Sequence, residues 1–249
     1  MATTLFHISD VHFGVENREA LDAVARAITE ERPDALVCTG DLTQRAKHSE
    51  YAAAQRWFET LDLPVILEPG NHDMPYYNLL ERFTDPYRRY RRLQSGVAST
   101  LESDDLVLVS LKTTVRAQPR FPWSDGIVTA RSLNATLEAL AQYQDDPRRV
   151  LVTAHHPLLG PRDKGKNPTI GGAKAFERIA AAGADAILTG HVHVPFDEIR
   201  EVGGHAARMI GAGTLSTRLR HGAPPSYRVV TCNDAGQIST ELRQLRAHA

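Results

Sequence analysis

The stretch TTLFHISDVH at residues 3–12 decides the fold. It begins as a short run of strand-forming residues and ends in polar side chains of the kind that bind metals or substrates. Two later runs repeat this pattern, DALVCTGD at residues 34–41 and VILEPGNHD at residues 65–73. Each of the three stretches therefore predicts a buried strand that ends at a turn carrying polar residues.

Helical patterns separate these three strands. Apolar residues recur at helical spacing within residues 17–31, where Leu21 and Ile28 lie on one face and Asn17 is a suitable N-cap. Residues 49–61 predict a second helix. The resulting β-α-β-α-β order predicts an α/β fold with a largely parallel sheet and helices packed against it.

The second half of the chain continues the alternation of strands and helices. Strands are predicted at residues 106–111, 150–154 and 186–189, with helices at residues 129–144 and 172–182. Four short β-like runs separated by turn residues follow, and they predict an antiparallel meander. These runs are residues 196–202, 206–210, 227–231 and 238–242. Because no linker interrupts the pattern, residues 1–249 are expected to form a single domain.

The composition is ordinary for a globular protein, with 42% hydrophobic and 24% charged residues and a net charge of -1. A charge so close to neutral gives no general reason to expect duplex nucleic acid or an anionic membrane as partner. The longest apolar runs are strand-sized, and residues 1–8 lack the pattern of a secretory signal. Cys38 and Cys232 are expected to be buried, reduced thiols, which agrees with a cytoplasmic location.

Residues of metal-binding type stand at the ends of five predicted strands. Because ligands collect at the carboxyl ends of parallel strands, we expect these side chains to converge. Oxygen and imidazole donors without thiolates suit Fe, Mn, Zn, Co or Ni rather than a structural zinc site. The candidates are Asp10, His12, Asp41, Asn71, His72, Asp73, His155, His156, His191 and His193.

The spacing of these residues favours a shared site. Asp10 and His12 are two positions apart, as are His191 and His193, so in an extended chain each pair would lie on one side. The carboxylate of Asp41 could bridge two cations. Glycines precede three of the motifs and would let the backbone turn tightly beside the metals. A single motif of this kind is usually a turn or surface feature, but five in order at strand ends favour metal binding.

This series of motifs resembles the calcineurin-like metallophosphoesterase superfamily over residues 8–193. The resemblance continues at residues 213–218, where the chain is similar to a bacterial branch that includes class III cyclic nucleotide phosphodiesterases. It implies a four-layer α-β-β-α sandwich, here with a C-terminal antiparallel β portion, and metals at the edge of the paired sheets. The matching motifs are Asp10-x-His12, Gly40-Asp41, Gly70-Asn71-His72-Asp73, His155-x-Pro157 and Gly190-His191-x-His193.

The resemblance also implies two divalent or mixed-valence transition metals, drawn from Fe, Mn, Zn or Co, that share one bridging carboxylate. The first metal would be held by Asp10, His12, Asp41 and His193. The second would be held by Asp41, Asn71, His155 and His191.

Three further roles follow from the resemblance. His156 competes with His155 as a ligand, and His155 is preferred because the family's ligand lies two residues before the proline. His72 is similar to the family's catalytic histidine, and Asp73 would orient it.

The expected reaction is two-metal hydrolysis. Metals ~3.5–4 Å apart trap a bridging hydroxide at neutral pH and stabilise charge on the phosphoryl oxygens. The hydroxide attacks the phosphorus in line, and His72 assists the departing alkoxide. A general acid in this role typically raises the reaction rate by ~10²–10⁴-fold. The predicted function is a phosphodiesterase for small molecules, with nucleotides among the candidate substrates. A homo-oligomer is compatible with this prediction.

Two alternatives stay open: a phosphomonoesterase or pyrophosphatase of the same superfamily, and a non-catalytic interaction module on the same fold. A diester is preferred because its single negative charge needs no cation beyond the metals, and the motif core contains no Arg or Lys. Other basic residues could supply such a cation, including those in the loop at residues 160–172. These are Arg116, Arg120, Lys164 and Lys166. The arginines from Arg82 to Arg92 are expected to form a solvated helix face rather than a phosphate site.

Overall fold

Two five-stranded sheets form the centre of the fold in this computed structural model, which describes residues 2–118, 123–162 and 169–245. In chain order the strands are β1 Thr3–Ile8, β2 Ala35–Cys38, β3 Val65–Leu67, β4 Leu106–Ser110, β5 Arg149–Thr153, β6 Ala186–Thr189, β7 Phe196–Val202, β8 His205–Gly211, β9 Ser226–Cys232 and β10 Ile238–Gln244.

Helices cover the outer faces of both sheets. Among the described residues, no helix combines the length and the apolar character that crossing a membrane requires. The helices are α1 Arg18–Glu31, α2 His48–Glu59, α3 Leu79–Thr84, α4 Arg88–Val97, α5 Ala130–Ala141 and α6 Gly172–Ala181, with a short 3-10 turn at Asn71–Asp73.

Both sheets are mixed. The first has the order β10-β9-β1-β2-β3, in which β1, β2 and β3 are parallel and β9 is antiparallel to both β1 and β10. The second has the order β4-β5-β6-β8-β7, in which only β7 runs against its neighbour. The parallel strands of each sheet therefore end at one edge of the molecule.

Side chains of β1 alternate between two hydrophobic layers, because successive side chains of a strand point to opposite faces. Phe6 and Ile8 pack against the layer of helices α1, α2 and α4, whereas Leu5 packs between the sheets with Leu151 and Leu188. All five side chains are fully buried. A strand buried on both faces accounts for the nearly continuous apolar run in this part of the sequence.

A third hydrophobic cluster covers the far side of the second sheet. Leu140 of α5 and Phe176 of α6 pack there against side chains such as Val152. The three clusters stack as α-β-β-α, so the predicted four-layer sandwich is confirmed. The free cysteines Cys38 and Cys232 are both buried, also as predicted.

The C-terminal strands differ from the prediction in how they are joined. They pair antiparallel as two hairpins, but they form no single meander. The β7–β8 hairpin joins β6 of the second sheet, and the β9–β10 hairpin joins β1 of the first. Alternating hydrophobicity predicts a hairpin but does not encode which sheet edge it will join.

Glu68 links the two sheets at the edge where the strands end. It directly follows β3, and its buried carboxylate accepts hydrogen bonds from Thr153 Oγ1 at 2.6 Å and from Ser110 Oγ at 2.9 Å, both in the second sheet. Burial raises the pKa of Glu68 to about 7, although both hydrogen bonds oppose the shift. The folded protein therefore binds a proton at Glu68 more tightly than the unfolded chain does.

We expect Glu68→Gln to remove a pH dependence of stability. Because the pKa of Glu68 is raised by folding, its favourable contribution is complete below about pH 4.5 and is lost as the pH rises through about 7. The variant keeps an acceptor oxygen without the charge. Its free energy of unfolding should exceed that of the wild type by about 1–3 kcal/mol at pH 8 and match it near pH 4. Urea unfolding at equal metal content measures both values, and the same difference at both pH values would contradict the prediction.

Candidate metal centre

The five strand ends meet at one edge of the sandwich. β1, β2 and β3 lead to Asp10, Asp41 and Asn71 in the first sheet, and β5 and β6 lead to His155 and His191 in the second. Four sets of three side chains bring ligand atoms within 4.8 Å of one another, close enough to share an ion. They are Asp10-His12-His193, Asp10-Asp41-His155, His12-Asp41-His72 and His155-His156-His191.

Two acceptor atoms face each other beside Asp10. His193 Nε2 lies 3.1 Å from Asp10 Oδ1, while His193 Nδ1 donates to the carbonyl oxygen of Arg218 at 2.7 Å. Since a neutral imidazole carries one proton, Nε2 then presents a lone pair to the carboxylate. Within the described part of the chain, Asp10 Oδ1 has no hydrogen-bond partner. A proton or a metal cation is needed to hold these two atoms together.

The same arrangement occurs beside Asp41. His155 Nδ1 donates to the carbonyl oxygen of Thr39 at 2.7 Å. Its Nε2 therefore faces Asp41 Oδ1 at 3.4 Å and Asn71 Oδ1 at 3.2 Å. Backbone carbonyls thus hold both imidazoles with Nε2 turned inward, the arrangement found around metal-bound histidines. Oxygen and imidazole donors fit the predicted transition metals.

Burial and neighbouring charges oppose each other in this cluster. Burial would raise the pKa of the Asp10 carboxyl, but the nearby His193 lowers it below its ordinary value. The pKa of Asp41 is lowered in the same way, with His155 as the main opposing charge. Burial would lower the pKa of His155, but Asp41 raises it to about 9. Burial prevails at His12 and lowers its pKa to about 3. The two buried carboxylates therefore stay ionised and attract positive charge.

The backbone of the predicted ligands is curled rather than extended. Left-handed φ angles between 51 and 69° occur at five of them, which are Asp10, His12, Asp41, His191 and His193. This conformation costs roughly 1–2 kcal/mol for a residue with a Cβ, although Asp tolerates it better than most. The expectation that each His and its partner lie on one side of an extended chain is therefore wrong. Left-handed turns bring them together, and such strain gathers at functional sites.

The glycines before the motifs are needed mainly for close packing. A Cβ on Gly70 would lie 2.1 Å from Asp41 Oδ1, and a Cβ on Gly190 would lie 1.7 Å from Ser9 Oγ. Gly40 has a left-handed φ of +97°, and it is the member of this set that needs glycine for a tight turn. The other two allow the strand ends to touch.

His156, the competing ligand, has partners at both ring nitrogens. Its Nδ1 lies 2.9 Å from the Thr113 hydroxyl, and its Nε2 lies 3.0 Å from the carbonyl oxygen of Ser124. Burial lowers the pKa of His156 well below its ordinary value, so the ring is neutral. Binding a metal would cost His156 one of these bonds, whereas His155 would keep its bond to Thr39. The geometry favours His155.

Comparison with known proteins identifies the family of the chain. Residues 3–195 match the family described as calcineurin-like phosphoesterase. The chain belongs to this family. A relative from Pseudoalteromonas sp. (strain SM9913), named a probable cyclic nucleotide phosphodiesterase, is 29% identical over 208 residues, which are 77% of this chain and 72% of the relative.

Two further comparisons cover nearly the whole phosphoesterase chain. A probable cyclic nucleotide phosphodiesterase from Vesicomyosocius okutanii is 24% identical over 254 residues, with 96% of this chain and 97% of the relative covered. A dimetal phosphatase from Danio rerio has the same fold, with a TM-score of 0.65, 13% identity and coverage of 97% and 96%. As a member of this family, the chain is a hydrolase of phosphoric esters.

His72 lies against the ligand cluster of this phosphoesterase and has two unpredicted partners. Its Nδ1 donates to the backbone carbonyl of Gln44 at 2.7 Å, and its Nε2 accepts a hydrogen bond from Arg218 Nη1 at 3.2 Å. Arg218 also donates to the side-chain oxygen of Gln44 at 3.2 Å. The resemblance at residues 213–218 marked this loop but assigned no role to Arg218, so a cation beside the motif core was missed.

Asp73 does not orient His72, and its predicted catalytic role is corrected here. Its buried carboxylate accepts hydrogen bonds from the backbone N–H groups of Leu42, Thr43 and Gly70 at 2.9–3.1 Å. It also accepts from the Thr43 hydroxyl at 3.0 Å. Four donors occupy the carboxylate, and Gln44 holds the imidazole of His72 instead. Asp73 therefore fixes the turns that carry Asp41 and Asn71.

The other basic residues considered for the site lie elsewhere or are not described. Arg116 is exposed and donates to the carbonyl oxygen of Phe83. Arg120, Lys164 and Lys166 fall outside the described residues, as do residues 163–168 of the loop at residues 160–172.

The predicted solvated arginine face is largely present. Arg88 and Arg91 are exposed and pair with Glu81 and Asp85, respectively. Two arginines are exceptions. The side chain of Arg89 is only 16% exposed and pairs with Glu81, and Arg82 is buried and lines a cavity together with His72.

We expect Asp73→Ala to destabilise the fold much more than His72→Ala. Loss of the Asp73 carboxylate leaves three buried N–H groups without an acceptor, at a cost of about 1–3 kcal/mol each, and partial relaxation should leave a net loss of about 3–5 kcal/mol. His72→Ala should cost about 1 kcal/mol or less, because the ring is only partly buried. Urea unfolding of both variants measures this contrast, and comparable losses would restore a shared role for the two residues.

Proposed function

We propose that this phosphoesterase is a dinuclear metal-dependent phosphodiesterase acting on small-molecule diesters. One observation above all supports the proposal. Side chains of metal-binding type converge from five strand ends, and two inward-facing imidazole nitrogens lie 3.1–3.4 Å from two buried carboxylates. A neutral imidazole would turn a lone pair towards each ionised carboxylate, so a proton or a metal cation must lie between them. Clustered oxygen and imidazole donors of this kind suit a transition metal in that role.

The proposed ligands divide around Asp41, whose carboxylate would contact both metals. One set surrounds Asp10 and consists of Asp10, His12, Asp41 and His193. The other set surrounds His155 and consists of Asp41, Asn71, His155 and His191. Support for this division comes from contacts within each set, such as His12 Nε2 to His193 Nε2 at 3.2 Å and His155 Nε2 to Asn71 Oδ1 at 3.2 Å.

Two cations in this site would supply an activated water and would neutralise charge on the phosphoryl oxygens. We assign the leaving group to His72. Gln44 fixes the Nδ1 proton, so a second proton on the ring would sit on Nε2, which faces the open side of the site. That proton would pass to the departing oxygen, with the Nε2 contact to Arg218 given up while Nε2 is protonated. Arg218, 3.2 Å from that nitrogen, adds positive charge where the departing oxygen becomes negative. Both residues would thus act on charge that develops as the ester bond breaks.

A diester is the proposed substrate class, with nucleotides among the candidates. Relatives of the chain are named phosphodiesterases, and a diester carries one negative charge that the metals can neutralise. Arg218 is an additional cation that could also serve a dianionic monoester, which favours the alternative of a phosphomonoesterase or pyrophosphatase. Because Arg218 already donates to both Gln44 and His72, we assign it to the leaving-group side.

Saturation with Mn²⁺ or Zn²⁺ should load two metals per chain. Asp41→Asn should weaken both sites, because its carboxylate belongs to both proposed sets, whereas Asn71→Ala should weaken one by roughly tenfold or more. Isothermal titration calorimetry with elemental analysis measures the stoichiometry and the affinities. His48→Ala, at an exposed histidine outside the cluster, is the matched control and should bind as the wild type does. At most one metal per chain at saturation would contradict the dinuclear proposal.

The metal-loaded protein should hydrolyse bis(p-nitrophenyl) phosphate with a higher kcat/KM than p-nitrophenyl phosphate. Arg218→Met should lower both values by a similar factor, roughly tenfold, if the guanidinium acts on the leaving group. Arg26→Met, at an exposed position of α1, controls for the change in net charge. A higher kcat/KM for the monoester, together with a larger loss on the monoester in Arg218→Met, would support the phosphomonoesterase alternative.

A further inference from the structure

A cavity opens beside the catalytic histidine proposed above. Its volume is about 320 Å³, at the small end of the range for sites that bind organic molecules. His72 and Asn71 form one wall, so a substrate held at the strand ends would extend into it. The other walls are formed mainly by two arginines and three aromatic side chains, namely Arg45, Arg82, Tyr76, Tyr77 and Trp123.

Arg82 is the unusual member of this lining. Only 1% of its surface is exposed, and its Nε and Nη1 donate to the backbone carbonyls of Arg116 and Pro75. Across the described ranges of the chain, no carboxylate pairs with it. Burial of a guanidinium without an anion is costly, which is also why burial lowers the pKa of Arg82. A guanidinium in this state retains N–H donors for a ligand.

The acidic side chain nearest to Arg82 in the sequence already pairs with other arginines. Glu81 directly precedes Arg82, but its carboxylate accepts hydrogen bonds from Arg88 at 2.9 Å and from Arg89 at 3.0 Å. Its two oxygens are therefore directed towards α4 rather than into the cavity. The chain thus neutralises the outer arginines and leaves the buried one without a counter-charge.

Aromatic faces complete the cavity. Tyr77 is 72% exposed and Tyr76 is 53% exposed, an unusual exposure for large rings that lie next to a reaction centre. The guanidinium of Arg82 lies 5.3 Å from the centroid of Trp123, and that of Arg45 lies 5.9 Å from the centroid of Tyr77. Alternating rings and guanidinium planes offer stacking surfaces for a flat ligand.

We propose that this cavity binds the organic group of the substrate, and that this group is a planar ring with at least one hydrogen-bond acceptor on its edge. The rings of Tyr76, Tyr77 and Trp123 would stack on its face, while Arg82 would donate to its edge. An aliphatic polyol would gain little from the exposed aromatic faces, and an unsubstituted aryl group would leave Arg82 without an acceptor. This inference rests on the proposed function, since it assumes that the phosphoryl group is held at the metals.

A series of non-hydrolysable phosphonates tests the inference with the metal-loaded wild-type protein. Methylphosphonate occupies the phosphoryl position alone, phenylphosphonate adds a ring, and 3- and 4-carboxyphenylphosphonate add an acceptor at two distances. Isothermal titration calorimetry gives their affinities without any need for turnover. We expect phenylphosphonate to bind about fivefold tighter than methylphosphonate, and the better carboxyphenyl isomer to bind about tenfold tighter again.

Two variants distinguish the affinity gained by stacking on the ring from the affinity gained by hydrogen bonding to its edge. Arg82→Met should remove the gain due to the carboxyl group and leave the gain due to the phenyl ring, a pattern that general loss of structure would not produce. Tyr77→Ala should reduce the phenyl gain. Arg88→Met is the matched control, because Arg88 lies on the neighbouring helix, is 64% exposed and pairs with Glu81. It should leave the whole series unchanged.

The outcomes distinguish this inference from the proposed function. Equal affinities for methyl-, phenyl- and carboxyphenylphosphonate in the wild type would overturn the cavity assignment while leaving the metal site intact. A carboxyl gain that survives in Arg82→Met would also overturn it, since another cation would then be responsible. If no phosphonate binds to the metal-loaded protein, the proposed phosphoryl site fails, and the cavity assignment fails with it. Should Arg82→Met not fold, the wild-type series and Tyr77→Ala still decide the question.

Discussion

Burial of two carboxylates at the edge of the sandwich is the constraint on which the rest of the site depends. Asp10 and Asp41 are at most 1% exposed, and an ionised carboxylate in such a place needs donors and positive charge. The backbone N–H of His191 donates to Asp10 at 2.7 Å, and that of His72 donates to Asp41 at 2.8 Å. The left-handed turns and closely packed glycines meet this requirement, because they bring backbone N–H donors and imidazoles around both carboxylates.

Much of this arrangement could be read from the sequence, and the reason is local. A short apolar run that ends in polar residues indicates both a buried strand and the position of its carboxyl end. The convergence of Asp10, Asp41 and His155 therefore followed from the topology of the sheets. A helix face was expected around the arginines of α4, but the bounds of α4 were not predicted, because Arg-rich turns surround its two buried residues, Tyr90 and Leu93. The left-handed conformations also escaped, since no residue-level pattern distinguishes a strained Asp or His from a relaxed one.

Contacts between distant loops were the least predictable feature of the site. Gln44, His72 and Arg218 belong to three loops, and 146 positions separate the last two. Hydrophobic periodicity carries no information on such pairings. Adjacency in sequence likewise suggested that Asp73 orients His72, whereas the carboxylate of Asp73 accepts hydrogen bonds from the turns that precede it. Positive charge therefore reaches the site from outside the motif core, through Arg218 and through Arg82.

The division of the last four strands between the two sheets has a consequence for how the protein is made. The first strand of the chain acquires its second neighbour only when β9 is present, because β9 pairs with β1 from Thr3 to His7. More than 200 residues separate β1 from β9, so the first sheet can close only after that whole stretch has been synthesised. Until then β1 presents an unpaired edge, so folding must wait for contacts of long sequence separation and nascent chains are exposed to aggregation.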